Sequence, residues 1–184
     1  EIAKISKAAG FVAAGRGAAV AAARQGLRET EVLAEADYAM KKAGSEGASF
    51  RMQVLTPKRQ MLMHPYAGES VIGENESLVV HLGASYKGYT AKMCRTLFLG
   101  DPPEESREIY QVLSGAQQAA IEALKPGTTS GEIFEAAKAY VDAQGWGQWF
   151  VVDHVGYGVG IRQSEFYPIL GKGLSHRLEA NMVV

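Results

Sequence analysis

Apolar positions recur at helical spacing through residues 1–23, where Ile2, Ile5, Ala9, Val12 and Ala13 fall along one stripe. Gln25-Gly26 interrupts that stripe. Thr30 offers an N-cap for a second helix that carries Val32, Leu33, Ala36 and Met40 and stops at Gly44. Residues 48–56 and 60–64 read as short strands. Residues 77–83 and 88–99 read as a stronger strand pair, joined by a turn around residues 85–87. Asp101-Pro102-Pro103 closes that segment and opens a long helix through Leu124. After the turn Lys125-Pro126-Gly127, Ser130 can cap a helix that runs to Gln144 and ends at Gly145. Residues 156–160 form a glycine-dense loop, and residues 171–173 mark another loop before a final strand.

The pattern repeats. A shift of 101 places Gly26 on Gly127, Glu31 on Glu132, Val32 on Ile133, Ala36 on Ala137 and Gly44 on Gly145. Either these matches are coincidental or the chain duplicates one helix–helix–sheet unit. The expected class is therefore α/β in the α+β sense, with helices set on antiparallel sheet.

Composition narrows the function classes. At 184 residues and 19.7 kDa the chain suits a single domain, and 47% hydrophobic residues exclude disorder. Nineteen Lys+Arg against 20 Asp+Glu leave a net charge of -1, which argues against a general nucleic-acid binder. A lone cysteine, Cys94, excludes an intrachain disulfide and points to a reducing, cytoplasmic setting. Residues 8–23 are Ala- and Gly-rich, are cut by Arg16 and fall short of a membrane span. The non-Met start and the apolar run Met182-Val183-Val184 read as a segment of a longer protein, with a strand cut short.

Chemistry concentrates between His64 and Thr96. His64 closes the apolar run Met61-Leu62-Met63 just before Pro65-Tyr66, where a histidine can serve as a proton-transfer residue or simply lie at the surface. The stretches Leu78-Val79-Val80-His81-Leu82-Gly83-Ala84 and Gly88-Tyr89-Thr90-Ala91-Lys92-Met93-Cys94-Arg95-Thr96 resemble the family of methionine aminopeptidases, prolidases and creatinase. So do Leu124-Lys125-Pro126-Gly127, the loop Gly156-Tyr157-Gly158-Val159-Gly160, and Leu178-Glu179-Ala180-Asn181-Met182-Val183. The resemblance covers essentially the whole chain. It implies the duplicated pita-bread fold over residues 1–184 as one domain, lacking its C-terminal end and a preceding N-terminal domain.

The departures from that family matter. Its peptidases hold two metal ions with two aspartates, one histidine and two glutamates. By the resemblance, the aspartate positions are His81 and Lys92, and the loop histidine is Tyr157. The histidine of a later His-Glu pair is Ser164, followed by Glu165, and the glutamate ligands would lie past Val184. An ammonium repels a cation, and a phenol near neutral pH is a poor ligand. No metal and no cofactor is therefore expected.

Creatinase has this fold and works without metal. The resemblance gives it a proton-transfer histidine 17 residues before the first aspartate position, the separation between His64 and His81. The leading expectation is a metal-independent hydrolase of a small cyclic or amidine-like C–N substrate, related also to ectoine-ring hydrolases. His64 would be catalytic, with His81, Lys92, Tyr157, Arg162 and Glu165 holding the substrate. Cys94 shares the face of Lys92 and reads as a small buried residue or a nucleophile. His154 stays unassigned, and His176 reads as surface. The alternatives are a catalytically inactive module that binds peptides or proteins, and an Xaa-Pro peptidase-like metallohydrolase. The partners expected are a small molecule and a second copy of the chain, with no nucleic acid and no membrane.

Overall fold

The computed structural model describes residues 1–62, 65–162 and 164–184. The chain forms two compact units, Glu1–Pro102 with Gly160–Gln163, and Pro103–Val159 with Ser164–Val184.

In the first unit, helices α1 (Ile2–Ala22) and α2 (Glu29–Lys42) pack against an antiparallel sheet. That sheet has the order β1 (Gln53–Leu55), β2 (Ser77–Tyr86), β3 (Tyr89–Phe98). The buried stripe of α1 is Ile5, Ala8, Phe11, Val12, Gly15 and Ala19, so the helix turns Ile2, Ala9 and Ala13 of the expected stripe to solvent. Gly15 is where the helices come closest. A Cβ there would lie 2.6 Å from Met40 Cγ and 3.2 Å from the Ala36 carbonyl oxygen, so only glycine fits without displacement. Leu78, Val80, Leu82 and Ala84 alternate along β2 into the same core, with Val54 of β1. Each of the larger fully buried aliphatic side chains contributes about 1.5–3 kcal/mol through surface removed from water.

The second unit carries α4 (Glu104–Ala123) and α5 (Ser130–Ala143), and a two-stranded sheet of β4 (His154–Tyr157) with β5 (Ile169–Gly171). Its apolar clusters centre on Val112, Ala116, Ala137 and Val141, and on Ile133, Leu170 and Leu178. The duplication is real. A shift of 101 carries α2 onto α5 end for end, and both helices start the same way. Glu31 Oε2 accepts from the Arg28 backbone N–H at 2.8 Å, and Glu132 Oε2 from that of Thr129 at 2.7 Å. The isolated bridges Arg28–Val71 and Thr129–Arg177 begin at the same shifted positions.

Four local expectations change. The helix caps are Arg28 and Thr129 rather than Thr30 and Ser130. The strand expected over residues 48–56 shrinks to β1, and the Phe50 ring lies over Gly83, where a side chain would collide with it. In place of a strand from residue 60, Pro57–Gln60 form a single helical turn, α3, for which Pro57 presets φ. Among the described residues no final strand follows Gly173; Leu178 instead exchanges backbone hydrogen bonds with Gly127 and Thr128. No helix among the described residues is long and apolar enough to cross a membrane.

Candidate functional site

The sheet of the first unit has two chemically different faces. Alternate residues of β2 enter the core, which turns His81 to the other side. Register then sets its neighbours on that side. Gln53 of β1 and Cys94 of β3 stand opposite His81, while Lys92 stands opposite Gly83. The period-two expectation that Cys94 shares the face of Lys92 holds, and the register adds His81 to that face.

His81 is half-buried. Its Nδ1 lies 3.2 Å from Gln53 Oε1, and its ring packs on that of Phe50 with centroids 4.3 Å apart. Gly83 makes room for Phe50, since a Cβ at that position would collide with the Phe50 ring and the Ser49 hydroxyl. Burial, and then the nearby Lys92 ammonium, push the His81 pKa from 6.5 down to about 4. The imidazole is therefore uncharged at neutral pH. Burial also lowers Lys92 below the usual lysine range. Cys94 is exposed as a residue, yet desolvation at the thiol pushes its pKa up and outweighs the opposing pull of Arg95. A raised thiol pKa favours the protonated form, which does not suit a nucleophile.

The segment after β1 is fixed from within the same unit. Glu29, fully buried on α2, accepts from the Thr56 backbone at 2.7 Å, the Thr56 hydroxyl at 2.9 Å and the Gly68 backbone at 2.9 Å. Arg59 Nε stands 3.0 Å from the same carboxylate as an ion pair, without alignment for a hydrogen bond. Gln53 Nε2 donates to the Pro65 carbonyl at 2.6 Å, and Arg51 stacks 3.5 Å over the Tyr66 ring. His64, the expected catalytic residue, lies outside the described residues.

The remaining site residues divide between the units. Arg162 is exposed; its backbone carbonyl accepts from the buried Thr90 hydroxyl at 2.9 Å, beside β3. Tyr157 closes β4 in the second unit, opposite Ile169, and the Glu165 backbone donates to the Gly158 carbonyl at 2.8 Å. His154 begins β4 and is exposed, as is His176. Sequence reading missed Gln53, Phe50 and Glu29. Nothing local marks them, because each acts through a partner 27 to 39 residues away or through strand register.

The family model described as metallopeptidase family M24 matches residues 3–184. An Xaa-Pro dipeptidase of Pyrococcus furiosus is 36% identical over 149 residues, which are 81% of this chain and 42% of that protein. Among solved structures, a prolidase from Pyrococcus furiosus superposes with a TM-score of 0.91 at 34% identity, covering 99% of this chain and 53% of that one. The prolidase of Pyrococcus horikoshii gives 0.92 at 32%, covering 99% and 52%. The chain thus spans about half the length of the relatives it matches.

These likenesses overturn the leading expectation of a metal-independent, creatinase-like hydrolase of cyclic or amidine-like substrates. That expectation gave two exchanged positions, His81 and Lys92, more weight than the likeness over the whole chain, which runs to Xaa-Pro dipeptidases and a family of metallopeptidases. Two side chains report on local chemistry, whereas the set of packed positions reports on descent. On the match over residues 3–184, the chain belongs to metallopeptidase family M24.

Proposed function

We propose that the whole protein is a hydrolase of small Xaa-Pro-type peptides. The observation that carries this reading is the 36% identity to an Xaa-Pro dipeptidase across 81% of the chain. The face bearing His81 and Lys92 is its substrate side. Lys92 supplies the positive charge that attracts a peptide carboxylate or a developing oxyanion, and His81 supplies an uncharged acceptor. Tyr157, Arg162 and Glu165 are further candidate substrate contacts, as the family resemblance implies. His64 remains the candidate for proton transfer through its place in the sequence. A homodimer and a cytoplasmic setting belong to the same reading, supported by the family resemblance and the single-cysteine composition.

A divalent metal pair does not fit the residues on this face. Two such ions need anionic oxygens. The face offers one imidazole, whose basicity burial and then the Lys92 ammonium already depress, and that ammonium itself. Among the described residues no three His, Cys, Asp or Glu side chains cluster as a metal site. No step is therefore routed through a metal here. That same ammonium favours a second reading, in which this face binds such peptides without cleaving them.

One experiment separates the two. The whole protein is given a panel of Xaa-Pro dipeptides, with and without added divalent cations, and released proline is measured alongside binding. Proline release above background, lost in Lys92→Ala, is expected. Binding without release supports the second reading, and neither binding nor release overturns both.

A further inference from the structure

The hydrogen bonds around Gln53 settle where a proton sits. The Pro65 carbonyl oxygen can only accept, so the Gln53 atom 2.6 Å from it is the amide nitrogen. The other end of the amide, Oε1, therefore faces His81 Nδ1 at 3.2 Å. An amide oxygen can only accept in its turn, so Nδ1 carries the hydrogen. In an uncharged imidazole the lone pair then belongs to Nε2. The Phe50 ring, tilted by 46° to the imidazole with centroids 4.3 Å apart and admitted by the missing side chain of Gly83, packs against the same imidazole and restricts its rotation.

We propose that Gln53 is a positioning residue that locks His81 as the Nδ1–H tautomer, so that Nε2 is a standing hydrogen-bond acceptor for the water that attacks the peptide. This rests on the peptidase reading above. The choice of water follows from the neighbours. Lys92, on the same face, repels an ammonium donor, and Cys94 opposite His81 offers only the weak S–H of a protonated thiol. The nitrogen of an Xaa-Pro bond bears no hydrogen to donate. Water is the neutral donor that remains. Gln53 also joins His81 to the Pro65 carbonyl through one amide.

Nitrogen-15 NMR of the histidine-labelled whole protein tests this directly, with the His81 signals assigned from their loss in His81→Gln. Nδ1 is expected in the N–H range and Nε2 in the unprotonated range at pH 7. An N–H at Nε2 overturns the proposal, whatever the activity. In Gln53→Leu the lock is removed, and the Nε2–H form is expected to appear. On a cleaved Xaa-Pro dipeptide, kcat should fall by about 10-fold or more with KM nearly unchanged, as for outer partners that orient a histidine. Gln53→Glu keeps an acceptor oxygen beside Nδ1, although it loses the N–H to Pro65, and should keep Nδ1 in the N–H range. A Gln53→Leu protein that mixes tautomers yet keeps full kcat overturns the role given to His81. A wild-type protein that shows the locked tautomer but cleaves no peptide overturns the peptidase reading, and with it the water.

Discussion

The depressed basicity of His81 makes protein stability depend on pH in a defined direction. The folded pKa is about 4 against 6.5 for the ordinary side chain, with burial as the first cause and Lys92 as the second. Between those values the unfolded chain binds a proton at His81 that the folded chain does not. The contribution of His81 is therefore fully present above pH 6.5, falls as the pH drops through 6.5 towards 4, and is gone below. At roughly 1.36 kcal/mol per pH unit the interval from 6.5 to about 4 sets an upper bound of about 3.4 kcal/mol. The ring is only half-buried, and solvent screening reduces the expected effect to about 1–2 kcal/mol. Urea unfolding of wild type and His81→Gln at pH 7.5 and pH 4.5 isolates it, because the other carboxylates and histidines titrate alike in both proteins. Wild type should lose about 1–2 kcal/mol more than the variant on acidification. Equal losses, or an NMR titration of His81 near its ordinary 6.5, would refute the reasoning. Lys92→Met removes only the smaller cause, so the His81 pKa should rise while staying below 6.5.

Two further substitutions probe the scaffold of the same face. Gly83→Ala drives a methyl group into Phe50 and Ser49 and should cost about 1–3 kcal/mol in urea unfolding, with His81 NMR signals displaced as Phe50 moves. A neutral Gly83→Ala would mean that Phe50 does not lie where the geometry puts it. Glu29→Gln keeps the shape of the buried carboxylate but turns an amide N–H₂ towards the donors of Thr56 or Gly68, and it unpairs Arg59. About 2–4 kcal/mol of stability should be lost at unchanged m-value. A loss below about 0.5 kcal/mol would show that this carboxylate does not hold residues 56–68 in place.

Much of the fold was legible because it is local. Helix starts and stops are written in a few adjacent residues, so α1, α4 and α5 appear at nearly their observed ends, and Glu31 and Glu132 mark the same start twice. The long strands were legible because one buried face imposes alternation, which also put Lys92 and Cys94 on the side of His81. The short strands were not. The pairing of residues 48–56 is with β2, 24 to 28 positions on, and no window of neighbouring residues records where it stops. The expected function erred for a related reason: it rested on His81 and Lys92 at two metal-ligand positions, whereas the match to the metallopeptidase family extends along residues 3–184.

By itself, then, the sequence determined the class of fold, its duplication by 101 residues and the presence of His81 and Lys92 on the two long strands. Tertiary structure alone decided what those positions became. Strand register brought Gln53 and Cys94 to His81, and the Pro65 carbonyl oriented the amide that fixes its proton. Burial with Lys92 then made the ring neutral. Hydrogen-bond direction and desolvation depend on what surrounds a side chain in space, and only the folded chain supplies those surroundings.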